Sequence, residues 1–489
     1  MLFSIGLAAK RLLLPGLIVL VFRPGGQYEI WLMILFVPAV VGALAKYLSF
    51  RYRLGPDELI IREGIVTRNE RHVPYARIQN IDLVQNPFHR WFKVAEVRVE
   101  TASGDRPEAI MRVLSLSSVE AMREQVFRQK RAARPPSAQV DSVGEEVEAA
   151  PVETLVQLGW RDLVLLGMTS HRGLTMVAAA MGVFWQLDPL GDVDEGWVRD
   201  RVTSIDPAES LAVPGPVATA LLVVGVVLMI FVLLSLLSVI WAAVRYYGFT
   251  LRECGDDLHS EYGLLTRITA TIPRHRIQVL TIRGGPIHRW FGRRAVQIET
   301  AGHRGGEEGQ GTDRLWLAPM IEADKIEDLL RRVLPDVDLA SARWRPIALR
   351  AWKRIIKRGI ALALVLSAGV GALAGLEALA IFVVGVVLAS VHARLYVKHA
   401  WYAVTAEAVI YRSGWWSRKL SIVRFEKIQV LALEESPFDR WNRMAAVRVD
   451  TAGAGRVGHG VDIRYLEAGD AVAMMERLVS ETGIRPFRW

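Results

Sequence analysis

The sequence predicts an α-helical membrane protein with β-rich soluble domains. We expect six transmembrane helices in three hairpins, each hairpin followed by a small bent β-sheet or barrel with a C-terminal helix across its end. Hydrophobic residues make up 52% of the 489 residues and the mean hydropathy is +0.24, which is too apolar for an ordinary soluble protein. One motif also recurs three times, and each copy follows a pair of apolar segments.

The repeated motif is a basic residue, Ile-Gln, a Pro eight residues after the Gln, Arg-Trp, and finally an acidic residue with Thr-Ala. A Gly precedes each Gln by fifteen residues. Such matched spacing indicates one domain used three times. We predict that each Trp ring is buried against the sheet with the Arg at its wet edge, and that each Gln bonds a neighbouring strand or a partner. A structural role is favoured over ligand binding for these motif residues: Gln79, Arg90, Trp91, Gln278, Arg289, Trp290, Gln429, Arg440 and Trp441.

Six apolar segments are candidates for spanning helices, since about twenty residues cross a bilayer. They lie in three pairs, at about residues 12–22 with flanks and 31–48, 173–187 and 217–244, and 359–375 and 378–393. The third pair could be one long kinked helix, but a tight turn through Gly375, Leu376 and Glu377 suits its length better.

The placement of charge predicts the orientation of these segments. Lys and Arg flank the ends that connect to the repeated domains, whereas the long loop 188–216 carries seven acidic residues against Arg199 and Arg201. By the positive-inside rule, both termini and all three domains are cytoplasmic and the protein is a multi-pass plasma-membrane protein. Membrane topology therefore explains the net charge of +9, and we expect no nucleic-acid partner.

The same reading divides the chain into seven segments. They are hairpin 1 (1–48), domain 1 (49–132), a disordered linker (133–154), an interfacial helix with hairpin 2 (155–244), domain 2 (245–336), hairpin 3 (337–394) and domain 3 (395–489).

Basic residues collect where the chain enters each hairpin. They are candidates for contacts with lipid phosphates at the inner leaflet, although plain anchoring of the helix ends is the favoured interpretation. The candidates are Lys10, Arg11, Arg172, Lys353, Arg354, Lys357 and Arg358.

No catalytic motif emerges from the sequence. It contains no nucleophile elbow, zinc-protease motif, Walker motif or paired-cysteine metal site, so we expect no enzyme, no cofactor and no metal. The single cysteine, Cys254, lacks an identifiable base and is expected to be structural.

The layout of two helices, Tyr, Gly, [Arg/Lys]-Ile-Gln, Pro-x-x-Arg-Trp and acidic-Thr-Ala resembles the bacterial pleckstrin-homology-like domain of the YdbS/YdbT family of membrane proteins. Three tandem units over nearly the whole chain are similar to the larger, YdbT-type members. The resemblance implies a bacterial inner-membrane location and a strongly bent, seven-stranded PH-like sheet capped by a C-terminal helix in each unit. It implies no reaction, and a fold alone does not identify a ligand.

Three functional hypotheses follow. The leading one is a non-enzymatic integral membrane scaffold whose three cytoplasmic PH-like domains bind partner proteins or each other. The partner would be a smaller single-unit homologue or a second copy of the chain. The alternative is anionic-lipid sensing or handling in envelope maintenance, with membrane lipids as ligands. A transporter ranks lowest, because almost no charged residue lies within the apolar segments.

Overall fold

The computed structural model describes residues 41, 49–64, 67–101, 109–132, 153–170, 216–300, 314–374, 377–451 and 460–483. The predicted helices at 12–22 and 173–187, nearly all of 31–48, the acidic loop and most of the predicted linker lie outside these residues. Lys10, Arg11 and Arg172 also lie outside them.

The first repeat, here unit 1, contains six described strands and two helices. Its strands are β1 (Arg51–Leu54), β2 (Glu58–Glu63), β3 (Asn69–Pro74), β4 (Ile78–Gln85), β5 (Val94–Thr101) and β6 (Ala109–Ser115). A five-residue helix, α1 (Pro87–Trp91), follows β4, and α2 (Leu116–Ala132) closes the unit.

Unit 2 contains seven strands. These are β7 (Glu153–Gln157), β8 (Thr250–Cys254), β9 (Asp257–Tyr262), β10 (Arg267–Pro273), β11 (Ile277–Gly284), β12 (Arg293–Thr300) and β13 (Arg314–Glu322). Between β7 and β8 come α3 (Trp160–Thr169) and α4 (Pro216–Tyr246), and the unit also holds α5 (Pro286–Trp290) and the closing helix α6 (Ile326–Val333).

Unit 3 repeats this arrangement. Its first strand, β14 (Arg345–Pro346), precedes the helical hairpin of α7 (Ala351–Ala374) and α8 (Glu377–His399). The remaining strands are β15 (Trp401–Val404), β16 (Ala408–Ser413), β17 (Arg418–Arg424), β18 (Ile428–Glu434), β19 (Met444–Thr451) and β20 (Val461–Glu467), with helices α9 (Pro437–Trp441) and α10 (Ala468–Thr482). Seven strands and a C-terminal helix are therefore present in units 2 and 3.

Two boundaries of the sequence analysis are wrong: the start of the interfacial helix at residue 155 and the start of hairpin 3 at residue 337. The segment from Leu155 was expected to start an interfacial helix, but residues 153–157 form β7 and the helix begins only at Trp160. β7 pairs with β8, and β14 pairs with β15. Units 2 and 3 therefore each take their first strand from before the membrane hairpin, and the helices are inserted between strands one and two.

The membrane segments are confirmed in part. Among the described residues, two helical stretches are long and apolar enough to cross a membrane, Leu228–Tyr246 in α4 and Ala378–His399 in α8. α7 also forms as a helix, and its first two turns carry four cations, at Lys353, Arg354, Lys357 and Arg358. α7 ends at Ala374 and α8 begins at Glu377, so two helices are present, while Gly375 and Leu376 of the predicted turn lie outside the described residues.

The sheets do not follow the unit boundaries. One seven-stranded sheet has the order β6-β5-β4-β10-β9-β8-β7, and a second has the order β13-β12-β11-β17-β16-β15-β14. The three-stranded sheets β1-β2-β3 and β18-β19-β20 stand at the two ends. The last three strands of one unit thus continue into the first four strands of the next.

Candidate functional site

The two junctions between units use the same strand register. At the first junction Gln85 of β4 is opposite Arg267 of β10, and at the second Gly284 of β11 is opposite Arg418 of β17. Gln85 and Gly284 each lie six residues after the motif Gln of their unit, and Arg267 and Arg418 each lie four residues after the turn Gly. One docking geometry is therefore used twice within the chain.

The motif arginine fastens each junction. Arg90 Nη1 donates to the backbone oxygen of Leu264 at 3.1 Å, and Arg289 Nη1 donates to that of Trp415 at 3.0 Å. Leu264 and Trp415 are the residues immediately after the turn Gly of the following unit. The motif Arg of one unit and the turn Gly of the next together form the clamp.

The turn glycine is required by backbone geometry. Gly64, Gly263 and Gly414 have φ values of +110°, +114° and +81°. A Cβ atom there would lie 1.9, 2.0 and 2.1 Å from the backbone oxygens of Thr67, Thr266 and Ser417, respectively. Only glycine accommodates both the torsion angle and the contact, so this position requires glycine in all three units.

The motif glutamine marks a β-bulge. The register of β4 with β5, of β11 with β12 and of β18 with β19 shifts at Gln79, Gln278 and Gln429, respectively. Gln278 is buried and donates from Nε2 to the backbone oxygen of Arg276 at 3.4 Å. A bulge bends its strand, so the motif glutamine lies where the junction strand of each unit bends.

The prediction that the motif tryptophans are buried is wrong. Trp91, Trp290 and Trp441 are 79%, 87% and 82% exposed, respectively. Each is the last residue of a five-residue helix that begins at the motif Pro, the position where its missing N–H costs nothing. Successive residues of a helix point about 100° apart, so the Arg that reaches the next unit leaves the following Trp directed outward.

One of these short helices, α9, lies close to the base of α7. The Arg354 guanidinium of α7 lies 4.7 Å from the ring centre of Phe438, and its Nη2 donates to Ser436 Oγ at 3.4 Å. Its Nε is 3.5 Å from Asp439 Oδ1. The lipid-contact candidate Arg354 therefore ties α7 to α9, whereas Lys353, Lys357 and Arg358 are exposed.

The junction strand of unit 3 is paired with no other unit among the described residues. Among the described strands, β18 pairs with β19 alone. Val430 is 53% exposed, whereas Val279, its equivalent in β11, is 3% exposed at the second junction. Leu433 is 39% exposed against 7% for Ile282. The clamp residue Arg440 is exposed, and its guanidinium has no hydrogen bond within the described part of the chain.

The complementary edge stands at the other end of the chain. Among the described strands, β3 pairs only with β2. It carries charged residues that are ion-paired within its own sheet: Arg62 with Glu70 at 2.9 Å, Arg71 with Glu63 at 3.4 Å and His72 with Glu58 at 2.9 Å. The Glu58 carboxylate holds the pKa of the exposed His72 ring above its usual range.

The described residues show little that could perform catalysis. Among them, no group of three His, Cys, Asp or Glu side chains could hold a metal ion. Burial raises the pKa of the Cys254 thiol, which disfavours the nucleophilic thiolate. Burial, with Arg294 nearby, lowers the pKa of His288.

Fold and junctions together define a class of protein: tandem bent-sheet units joined edge to edge beneath apolar helices. The family model described as bacterial PH domain matches residues 6–130, 213–334 and 360–482, so the chain belongs to the bacterial PH domain family. It is 25% identical over 365 residues to the UPF0699 transmembrane protein YdbT of Bacillus subtilis (strain 168), covering 73% of this chain and 71% of that protein. No solved structure matches.

Proposed function

We propose that this protein is a non-enzymatic integral membrane scaffold whose three PH-like units bind one another and a protein partner through the strand junction. The observation that carries this proposal is that both internal junctions use the same strand register and the same arginine clamp. The two edges that could form a further junction of this kind, β18 and β3, lie in units 3 and 1. A head-to-tail contact of this kind extends to a further unit or closes into a ring.

We further propose the six-helix topology at the inner membrane, with the termini and PH-like units in the cytoplasm. The two apolar stretches in α4 and α8 support it, as does the similarity to the transmembrane protein YdbT of Bacillus subtilis. The basic start of α7 next to unit 3 agrees with a cytoplasmic unit.

The partner we favour is a second copy of the chain, with β18 pairing to β3 of that copy. Transferring the register of the second junction places Val430 opposite Val73, Leu433 opposite Glu70 and Glu434 opposite Asn69. This would cover the apolar edge of β18, which is otherwise exposed to non-specific association. A smaller single-unit homologue that offers the same third strand is the alternative partner.

The test is a disulfide cross-link between two differently tagged chains, one carrying E434C and the other N69C, both with Cys254→Ser. Opposite residues of antiparallel strands have Cβ atoms about 4.5–5.5 Å apart, close enough to be tested by oxidation. The matched positive control is R283C with K419C in one chain, the equivalent pair of the second junction. The register control is V430C with N69C.

Mixed oxidation in native membranes should yield a disulfide-linked pair carrying both tags for E434C with N69C, and much less for V430C. If the internal control cross-links while no inter-chain product forms, self-association through these edges is wrong. Co-purification of a single-unit homologue with the chain would instead support the scaffold with the alternative partner.

The second candidate function is sensing or handling of anionic lipids. The three exposed tryptophans favour it, because Trp is suited to the membrane–water interface and α9 contacts the start of α7. Replacing Lys353, Lys357 and Arg358 with Ala should lower the amount of phosphatidylglycerol that co-purifies, measured by native mass spectrometry. Arg354 is left intact because it holds α9. Unchanged lipid retention would count against this function.

A further inference from the structure

A basic groove lies at the second junction, between units 2 and 3. Its volume is about 460 Å³. Unit 2 contributes Arg283 and Arg294 to the lining, and unit 3 contributes Arg412, Arg418 and Lys419. Glu327 is the one carboxylate among the described residues that line it. Arg294, Arg412 and Arg418 share one face of the sheet, so three cations face this space. Arg283 and Lys419 are each one residue away in their strands, so their side chains lie on the opposite face.

Strand pairing brings these three arginines together. Gly284 is opposite Arg418, and Arg412 is opposite Leu420, which is two residues from Arg418 and therefore on the same face of the sheet. A Cβ atom on Gly284 would lie 2.8 Å from Cδ of Arg294. The glycine therefore leaves the space in which the Arg294 side chain lies.

The first junction shows that the fold does not need these cations. The positions equivalent to Arg283, Arg294 and Lys419 are held there by apolar residues, Val84, Ala95 and Ile268. The position of Arg412 is Glu261, which is ion-paired with Arg267, the equivalent of Arg418. The same backbone junction thus forms with its arginine neutralised.

The electrostatics of the groove are unfavourable without a counter-ion. Burial, followed by Arg418, Arg289 and Arg412, lowers the pKa of the Arg294 guanidinium. Burial and Arg418 lower the pKa of Arg412. Nε of Arg418 is buried and has no hydrogen-bond partner among the described residues. These guanidinium groups repel one another, and they retain N–H donors whose hydrogen bonds an anion could accept.

We propose that the groove between units 2 and 3 binds a phosphate-bearing anion through Arg294, Arg412 and Arg418. Guanidinium groups match phosphate oxygens with paired hydrogen bonds. Leu330 and Trp344 also line the groove and offer an apolar wall to the rest of the ligand. The phosphate comes from a lipid headgroup or from a soluble phosphate compound.

The groove is connected to a membrane helix through the clamped hairpin tip. Arg289 holds the backbone oxygen of Trp415, and Trp415 Nε1 lies 3.0 Å from Nδ1 of His392 in α8. Arg418 follows three residues after Trp415. A ligand in the groove would therefore stabilise the contact between the two units at the base of hairpin 3. This inference is independent of pairing between chains.

The test uses the full chain with the variant Arg412→Glu, which copies the arrangement of the first junction. In detergent, inorganic pyrophosphate is titrated at constant ionic strength by calorimetry. In nanodiscs, retention of phosphatidylglycerol against phosphatidylcholine is measured by native mass spectrometry. R294A copies Ala95 and is the second variant. R252E is the charge-matched control, at an exposed position of β8 outside the groove lining.

We expect one ligand per chain, and binding at least about tenfold weaker in R412E and R294A, because each variant removes charge-assisted hydrogen bonds. R252E should bind as the parent does. If the variants lose pyrophosphate binding, the ligand is a soluble phosphate compound. If they lose retention of phosphatidylglycerol, the ligand is a lipid. Binding that survives both substitutions, or no binding of either probe, overturns the proposal. The inter-chain cross-link is a separate readout, so each proposal can fail alone.

Thermal unfolding decides whether a loss of binding reflects misfolding. Because Glu261 pairs with Arg267 at the first junction, R412E should unfold at a temperature no lower than that of the parent. If R412E nevertheless fails to fold, R294A alone decides.

Discussion

At the residue scale, the motif arginine shows how one side chain can have different roles in identical units. Arg90 and Arg289 each donate to the backbone of the following unit, whereas Arg440 is exposed and its guanidinium makes no hydrogen bond among the described residues. The repeated sequence identifies the residue but not its partner, because a backbone carbonyl carries no side-chain signal. Its presence in unit 3 is consistent with a contact beyond the chain.

Replacing Arg289 with Ala should therefore destabilise the second junction. A hydrogen bond from a charged donor contributes about 1.5–3 kcal/mol, and Arg289 is partly buried. We expect lower thermal stability and faster hydrogen exchange in β11 and β17.

Arg440→Ala is the matched control for this change. In dilute detergent, where chains are separate, it should alter stability by less than about 0.5 kcal/mol. Equal losses in the two variants would show that the arginine supports its own unit and does not clamp the next.

At the element scale, small residues set the packing of hairpin 3. A Cβ atom at Gly385 of α8 would lie 2.6 Å from Cβ of Ala363 in α7, and one at Gly359 would lie 2.4 Å from Cβ of Ala389. Helix pairs in membranes rely on such close approach, since burial from water does not drive them together. The hairpin is therefore held by two reciprocal contacts.

Gly385→Ala should push α7 and α8 apart and destabilise the hairpin by about 1–3 kcal/mol, the usual range for overpacking. Gly369→Ala is the control, because a Cβ atom at that position meets nothing within 4 Å. It should be neutral or slightly stabilising, since Ala favours helix over Gly. Thermal unfolding in detergent measures both, and a Gly385→Ala variant as stable as Gly369→Ala would contradict the packing argument.

At the scale of the whole molecule, the units form one connected structure. At the second junction, six residues of β11 pair with six residues of β17. The buried cluster of unit 2 continues into unit 3, at Ala403, Ala408, Ile410 and Ile422. In the other direction, Ala242 and Tyr246 of α4 lie in the core of unit 2. A displacement of a membrane helix would therefore reach the strand junctions directly.

The head-to-tail arrangement also bears on assembly. Each chain has one donor edge and one acceptor edge, so oxidation of a chain that carries both E434C and N69C, with Cys254→Ser, should produce closed rings or longer chains and not only dimers. A ladder of products at high protein density would indicate open ends, and a single large species would indicate closure.

Sequence alone determined the repeat, the positions of its Gly, Gln and Pro, and a family resemblance that implied the seven-stranded unit with a closing helix. Spacing and residue type carry those features, because the motif is local to each unit. The tertiary structure decided the outward direction of the tryptophans, the strand that precedes the helices of units 2 and 3, the clamp role of the arginine and the basic groove. The clamp and the groove depend on segments far apart in the chain: Arg294 meets Arg412 only because β11 pairs with β17. Backbone pairing between such segments leaves no pattern in the sequence.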